Sequence, residues 1–131
     1  STHCISSAAS DVYKRQELLR RQDRRADAVK LYKELASDVR TKEGSAAAYY
    51  VLEDVFAGGD MDKAEKAIFA YSEREPQAYW LAKAFILLGD VYVRKGDNFQ
   101  ARATYQSVAD GYSPADDGIV AEAKERIAKL N

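Results

Sequence analysis

Few side chains here have the chemistry for catalysis, and their spacing works against it. His3 and Cys4 are the only histidine and cysteine in 131 residues, and both lie in a stretch set aside below. Without them, Cys–His and Ser–His–Asp nucleophiles are excluded, as are zinc sites built on Cys and His. Carboxylates occur in pairs at Glu53-Asp54 and Asp116-Asp117. Neighbouring residues on a helix point in different directions, so each pair reads as solvated charge or an N-cap and not as an acid/base dyad. Asp60-x-Asp62 begins like a calcium loop but lacks the glycine and closing glutamate at the required places. Gly58-Gly59 and Gly96 lack both the spacing and the following Lys-Ser/Thr of a phosphate loop, which makes them turn glycines. No catalytic residue, metal ligand or cofactor is expected.

Residues 1–16 are expected to be foreign to the protein. Ser6 to Gln16 reads as the in-frame translation of a transposase adapter used to prepare sequencing libraries, and Ser1-Thr2 fits its upstream arm. On that reading the chain is a metagenomic fragment of a larger protein, and residues 17–131 are the native part. Of the 20 basic and 21 acidic residues, Lys14, Arg15 and Asp11 then drop out, leaving 18 and 20. A net charge near −2 without a basic cluster argues against nucleic acid as a partner. The most apolar window, 82–93, is about a dozen residues long and holds Lys83 and Asp90, too short and too charged to span a bilayer.

Helical periodicity dominates the native part. The spacing predicts the remnant of a helix over 17–22, then Asp23 capping a helix over 24–40 with Ala28, Leu31, Tyr32 and Leu35 facing inward. Residues 42–45 read as a turn, with Ser45 capping a helix over 46–57. Gly58-Gly59-Asp60 stops that helix and caps the next, 62–73, which ends before Pro76. The longest helix covers 77–95, and 97–110 follows. After Gly111 to Pro114, Asp116 or Asp117 begins a last helix. Val120, Ala123, Ile127 and Leu130 share its apolar stripe, with Glu122, Lys124, Glu125 and Lys129 on the other face. No strand-like alternation appears, so the fold class is all-α.

One spacing recurs along these helices. Phe85, Leu88, Gly89 and Tyr92 lie at i, i+3, i+4 and i+7, and Gly96, Ala101, Tyr105 and Val108 follow on the next helix. Ala48, Val51, Leu52 and Val55, then Gly59, Ala64, Ile68 and Tyr71, repeat the arrangement; Asp23, Ala28, Tyr32 and Leu35 repeat its second half. The anchoring alanines are 36 and 37 residues apart. This pattern of aromatic, Leu-Gly, Tyr, Ala and Phe/Tyr resembles the tetratricopeptide repeat, whose period is roughly 34. Leu52 in the place of Gly89, and Pro114 one place late, mark the copies as divergent. The resemblance implies an α-solenoid: a truncated repeat at 17–42, repeats at 45–78 and 79–115, and a capping helix at 116–131. Hydrogen exchange is expected to be fastest over 17–40, because about three repeats are needed for stability.

The same resemblance implies function. It points to a protein–protein interaction scaffold, similar to those of bacterial envelope proteins, that takes a peptide or protein partner in a groove. Carried onto this chain, the groove positions are Tyr49, Glu53 and Phe56 on one helix, and Lys83, Ile86, Asp90 and Arg94 on another. The paired Lys/Asn/Arg cradle of members that grip a C-terminal carboxylate is missing. Ala28, Tyr32, Ala64, Ile68, Phe85, Leu88, Gly89, Tyr92, Ala101 and Tyr105 are assigned to packing between repeats. Tyr49, Tyr50, Tyr79 and Trp80 fall outside the strict pattern and read equally as recognition surface or as packing. A purely structural cap of a longer solenoid is the alternative.

Overall fold

Polar N-caps and left-handed glycines divide the chain into short helices. The computed structural model describes residues 18, 21–28, 30, 37–114 and 116–130. After a helical run at 21–28, five helices follow: α1 (Lys42–Ala57), α2 (Met61–Glu73), α3 (Ala78–Arg94), α4 (Asn98–Gly111) and α5 (Ile119–Ala128). No strand occurs among the described residues, and the fold is all-α. Thr41, Asp60 and Asp97 cap α1, α2 and α4. Their side-chain oxygens accept from the backbone N–H of Gly44 at 2.9 Å, Lys63 at 3.1 Å and Gln100 at 3.0 Å. Each bond satisfies a donor that the first helical turn leaves open. Gly59 and Gly96, at φ +91° and +80°, turn the chain after α1 and α3, a conformation that costs glycine nothing.

Several boundaries differ from the sequence expectation, each for a local reason. Residues 42–45 are helical and not a turn, because Thr41 supplies the cap that Ser45 was expected to supply. Ser45 is instead fully buried. Its hydroxyl donates to the Val39 carbonyl and accepts from the Gln77 N–H at 2.9 Å, and its own carbonyl accepts from the Tyr71 hydroxyl at 2.8 Å. The expected helix over 24–40 does not reach its end: residues 37–41 form turns that fold Val39 into the core. Asp23 lies within the helical run 21–28 and does not start a new helix. Ala28, half-buried, is described; Tyr32, Leu31 and Leu35 lie outside the described residues, as does 1–16. The last helix starts two to three residues late, at Ile119. Gly118 adopts φ +88° before it, and Asp117 accepts from the Ile119 N–H at 3.2 Å.

Packing follows one rule throughout. Each helix lies against the next in sequence, α1 and α5 also pack on α3, and α2 and α4 make no close backbone approach to each other. Neighbours run antiparallel: Tyr71 near the end of α2 reaches Ser45 at the start of α1, and Lys95 after α3 reaches Asp62 at the start of α2. Ala64, Ile68, Ala101 and Tyr105 are each at most 1% exposed, and Leu88, Gly89 and Tyr92 are buried with them. Phe85 packs half-buried against this core. Gly89 is an obligate gap: a Cβ there would lie 2.2 Å from the Tyr105 ring.

Candidate functional site

The odd-numbered helices carry the residues expected to form a groove, and two cation–π contacts tie α1 to α3. At one end the Lys83 ammonium lies 5.7 Å from the Tyr49 ring centroid and 5.9 Å from that of Tyr79. At the other the Arg94 guanidinium lies 5.0 Å from the Phe56 ring. Tyr49 and Phe56 are two turns apart on α1, and Lys83 and Arg94 three turns apart on α3. Early residues meet early ones and late meet late, so the two helices run in the same direction. Glu53, exposed, sits on the α1 side between the two contacts.

An aromatic cluster surrounds the Lys83 end. Trp80 lies 5.5 Å from Tyr49, 5.7 Å from Tyr50 and 5.0 Å from Tyr79, in tilted or edge-on geometry. Such contacts add stability beyond area burial, so this cluster cements the α1–α3 crossing. Tyr50 is nonetheless 41% exposed. The residues left open by the sequence therefore serve in packing, with one edge in solvent.

Asp90 is held more tightly than a groove contact needs to be. It accepts from the Tyr105 hydroxyl, and its two oxygens face Arg126 Nε at 3.1 Å and Nη2 at 3.4 Å. Arg126 also lies 3.4 Å from Glu122, one turn earlier on α5. That bidentate pairing raises the guanidinium above its ordinary pKa, through the Asp90 hydrogen bonds first. Burial pushes the Tyr105 hydroxyl up, and the adjacent Asp90 carboxylate adds to it. Burial also raises the Tyr49 hydroxyl, followed by the charges of Glu53, Glu122 and Asp90. Glu122, half-buried and paired with Arg126, lies on the Asp90 side of α5 and not on its outer face.

Two expected groove residues are not presented to a partner. Ile86 is 3% exposed and Tyr49 6%. Ile86 is in the core because α3 is covered by α1, α2, α4 and α5 at once, leaving solvent only along its flanks. Lys83 and Asp90 reach that flank half-buried, Arg94 is exposed and Phe56 is half-buried. Arg126 is the member that sequence reasoning missed. Its signal was the Glu122–Arg126 spacing of i, i+4, but nothing local ties α5 to Asp90, 36 residues away.

Beside Asp90 a cavity of about 330 Å³ opens between the ends of α1, α3 and α5, walled by Phe56, Val93, Arg94, Arg126, Lys129 and Leu130. Among the described residues no three His, Cys, Asp or Glu side chains converge as a metal site would need, and no helix is long and apolar enough to cross a membrane. Searches against protein-family models, curated proteins and solved structures find no match for this chain.

Proposed function

We propose that this chain is a tetratricopeptide-type helical repeat module that binds a protein or peptide on the inner face of α1, α3 and α5 and performs no chemistry of its own. The observation that carries the reading is the alignment of the odd helices. Glu53, Phe56, Lys83 and Arg94 share one strip of mixed charge and aromatic surface, while α2 and α4 back it from behind. A surface built on helices already packed together needs less ordering on binding, which lowers the entropic cost of association.

A random-peptide display selection against the whole chain tests the reading. Peptides enriched on the native protein should lose binding to a Lys83→Ala/Arg94→Ala variant and keep it when Lys66 or Glu73 on α2 is changed. Enrichment indifferent to Lys83 and Arg94 would sink the proposal. Asp90 is unsuited to such a test, because replacing it strands Arg126 and the Tyr105 hydroxyl.

A structural cap remains the second reading, favoured by α5. Its Ile119 and Ala123 are buried while Lys124, Glu125 and Lys129 are exposed, the one-sided pattern of a helix that closes a stack.

A further inference from the structure

The inner-face reading leaves open what chemistry the partner brings, and the cavity beside Asp90 narrows it. Its walls carry one carboxylate, Asp90, against three cations: Arg94, Arg126 and Lys129. Asp90 is spent on Arg126. Lys129 pairs with Glu125 at 3.1 Å, but both ends of that bridge are about two-thirds exposed, where such pairs hold weakly. Arg94 makes no ion pair among the described residues; its guanidinium carbon lies 5.0 Å from the Phe56 ring centroid, and the residue is exposed. Besides Tyr105, whose hydroxyl donates to Asp90, the remaining walls, Phe56, Val93 and Leu130, are apolar, and Val93 is 41% exposed. About 330 Å³ is at the lower end of the roughly 300–1,000 Å³ typical of ligand pockets, room for one or two side chains and not for a folded element.

We infer that this cavity receives an acidic side chain and its apolar neighbour from an extended segment of the partner. The carboxylate pairs with Arg94 and Lys129, and the apolar side chain rests on Phe56, Val93 and Leu130. The charge surplus selects the acid, because a lysine brought there would face two cations without a free carboxylate. Arg94 is the main determinant: its planar fork takes a carboxylate through two donors while its face stays on Phe56. This inference rests on the inner-face binding reading and adds a chemical preference to it.

Amide chemical-shift titration of the isotope-labelled 131-residue chain tests it, using three acetylated and amidated hexapeptides that differ only in a central Glu-Phe, Gln-Phe or Lys-Phe step. Blocked termini remove any free terminal carboxylate as a source of the signal. The Glu-Phe peptide should shift the amides of Phe56, Arg94 and Leu130 and bind at least tenfold more tightly than the Gln-Phe peptide. Arg94→Glu should abolish that preference and transfer it to the Lys-Phe peptide. Lys129→Glu, on an exposed rim, should weaken it several-fold without touching the core, and it decides the matter if Arg94→Glu fails to fold. Equal affinity for Glu-Phe and Gln-Phe, or an acid preference that survives both variants, overturns the inference. Peptides that map to the Lys83 end without any acid preference overturn the cavity assignment alone, whereas a display selection that finds nothing on the inner face removes the binding reading as well.

Discussion

The hairpins α1–α2 and α3–α4 obey the same spacing yet solve their packing with opposite volumes. In the second, Gly89 leaves a gap that the Tyr105 ring fills, and the Tyr105 hydroxyl then reaches Asp90. In the first, Leu52 occupies the place of Gly89 and Ile68 that of Tyr105, and both are at most 5% exposed. Small-against-large has become medium-against-medium with burial unchanged. The polar anchor moves as well: the first hairpin bonds Tyr71 to Ser45 at its open end, where the second has Val108 and no hydroxyl. What is preserved is burial at both positions and a buried tyrosine hydroxyl with a partner. The identity of the residue at any one position is free to change, as expected of cores that tolerate hydrophobic repacking.

Swapping the two solutions is the most severe way to break this comparison. Gly89→Leu should cost roughly 3 kcal/mol or more, since even a Cβ collides with the Tyr105 ring. Adding Tyr105→Ile, which copies the first hairpin, should restore a good part of that loss in chemical denaturation. If the double variant is no more stable than Gly89→Leu alone, volume compensation is not what relates the hairpins.

A smaller effect is expected from the polar anchor. Ser45→Ala leaves the Gln77 N–H and the Val39 carbonyl without their hydroxyl partner, at about 1–3 kcal/mol. Tyr71→Phe, which strands only one carbonyl, should cost about 1 kcal/mol. Equal losses for the two would mean that only one of the two Ser45 hydroxyl bonds, to Val39 or to Gln77, contributes.

Alkali sharpens the contrast further. Burial pushes the Tyr71 hydroxyl from its ordinary 10.0 up to about 12, and burial with the neighbouring Glu65 does the same for Tyr92. A raised native pKa means the fold favours the neutral phenol. That stability is complete below pH 10 and is lost as pH rises through about 12. The denaturation midpoint should therefore fall across that window, and Tyr71→Phe and Tyr92→Phe should each make the fall shallower. A midpoint flat from pH 9 to 12 would contradict it.

The least effect belongs to the bridge between the hairpins. Lys95 lies 2.7 Å from Asp62 and 3.6 Å from Glu65, and the Asp62 hydrogen bond holds its ammonium above the usual range. Exposed pairs of this kind are screened, so Lys95→Met should leave the melting temperature nearly unchanged at high salt.

Much of the helical layout was legible before any coordinates. Asp60, Gly59, Gly96 and Asp97 punctuate the chain as their types require, and Ala64, Ile68, Ala101 and Tyr105 are core as their spacing requires. Ser45 was misread because a serine before an apolar run looks like a cap; only the turn at 37–41, folding back on Gly44, makes Thr41 the cap instead. Within that turn the Asp38 carbonyl would lie 1.7 Å from any Cβ at Gly44, a close approach that no local pattern announces. Ile86 was misread because a face count along α3 cannot tell how many neighbours that helix will have.

From the order of its residues alone, this chain was committed to helices, to their ends and to the stripe each would bury, because capping and periodicity act within a few residues. Tertiary structure alone decided which charged groups meet across helices. Asp90 takes Arg126 from 36 residues away, and Arg94 is left facing a cavity without a carboxylate of its own, because pairing across helices depends on how the apolar stripes dock.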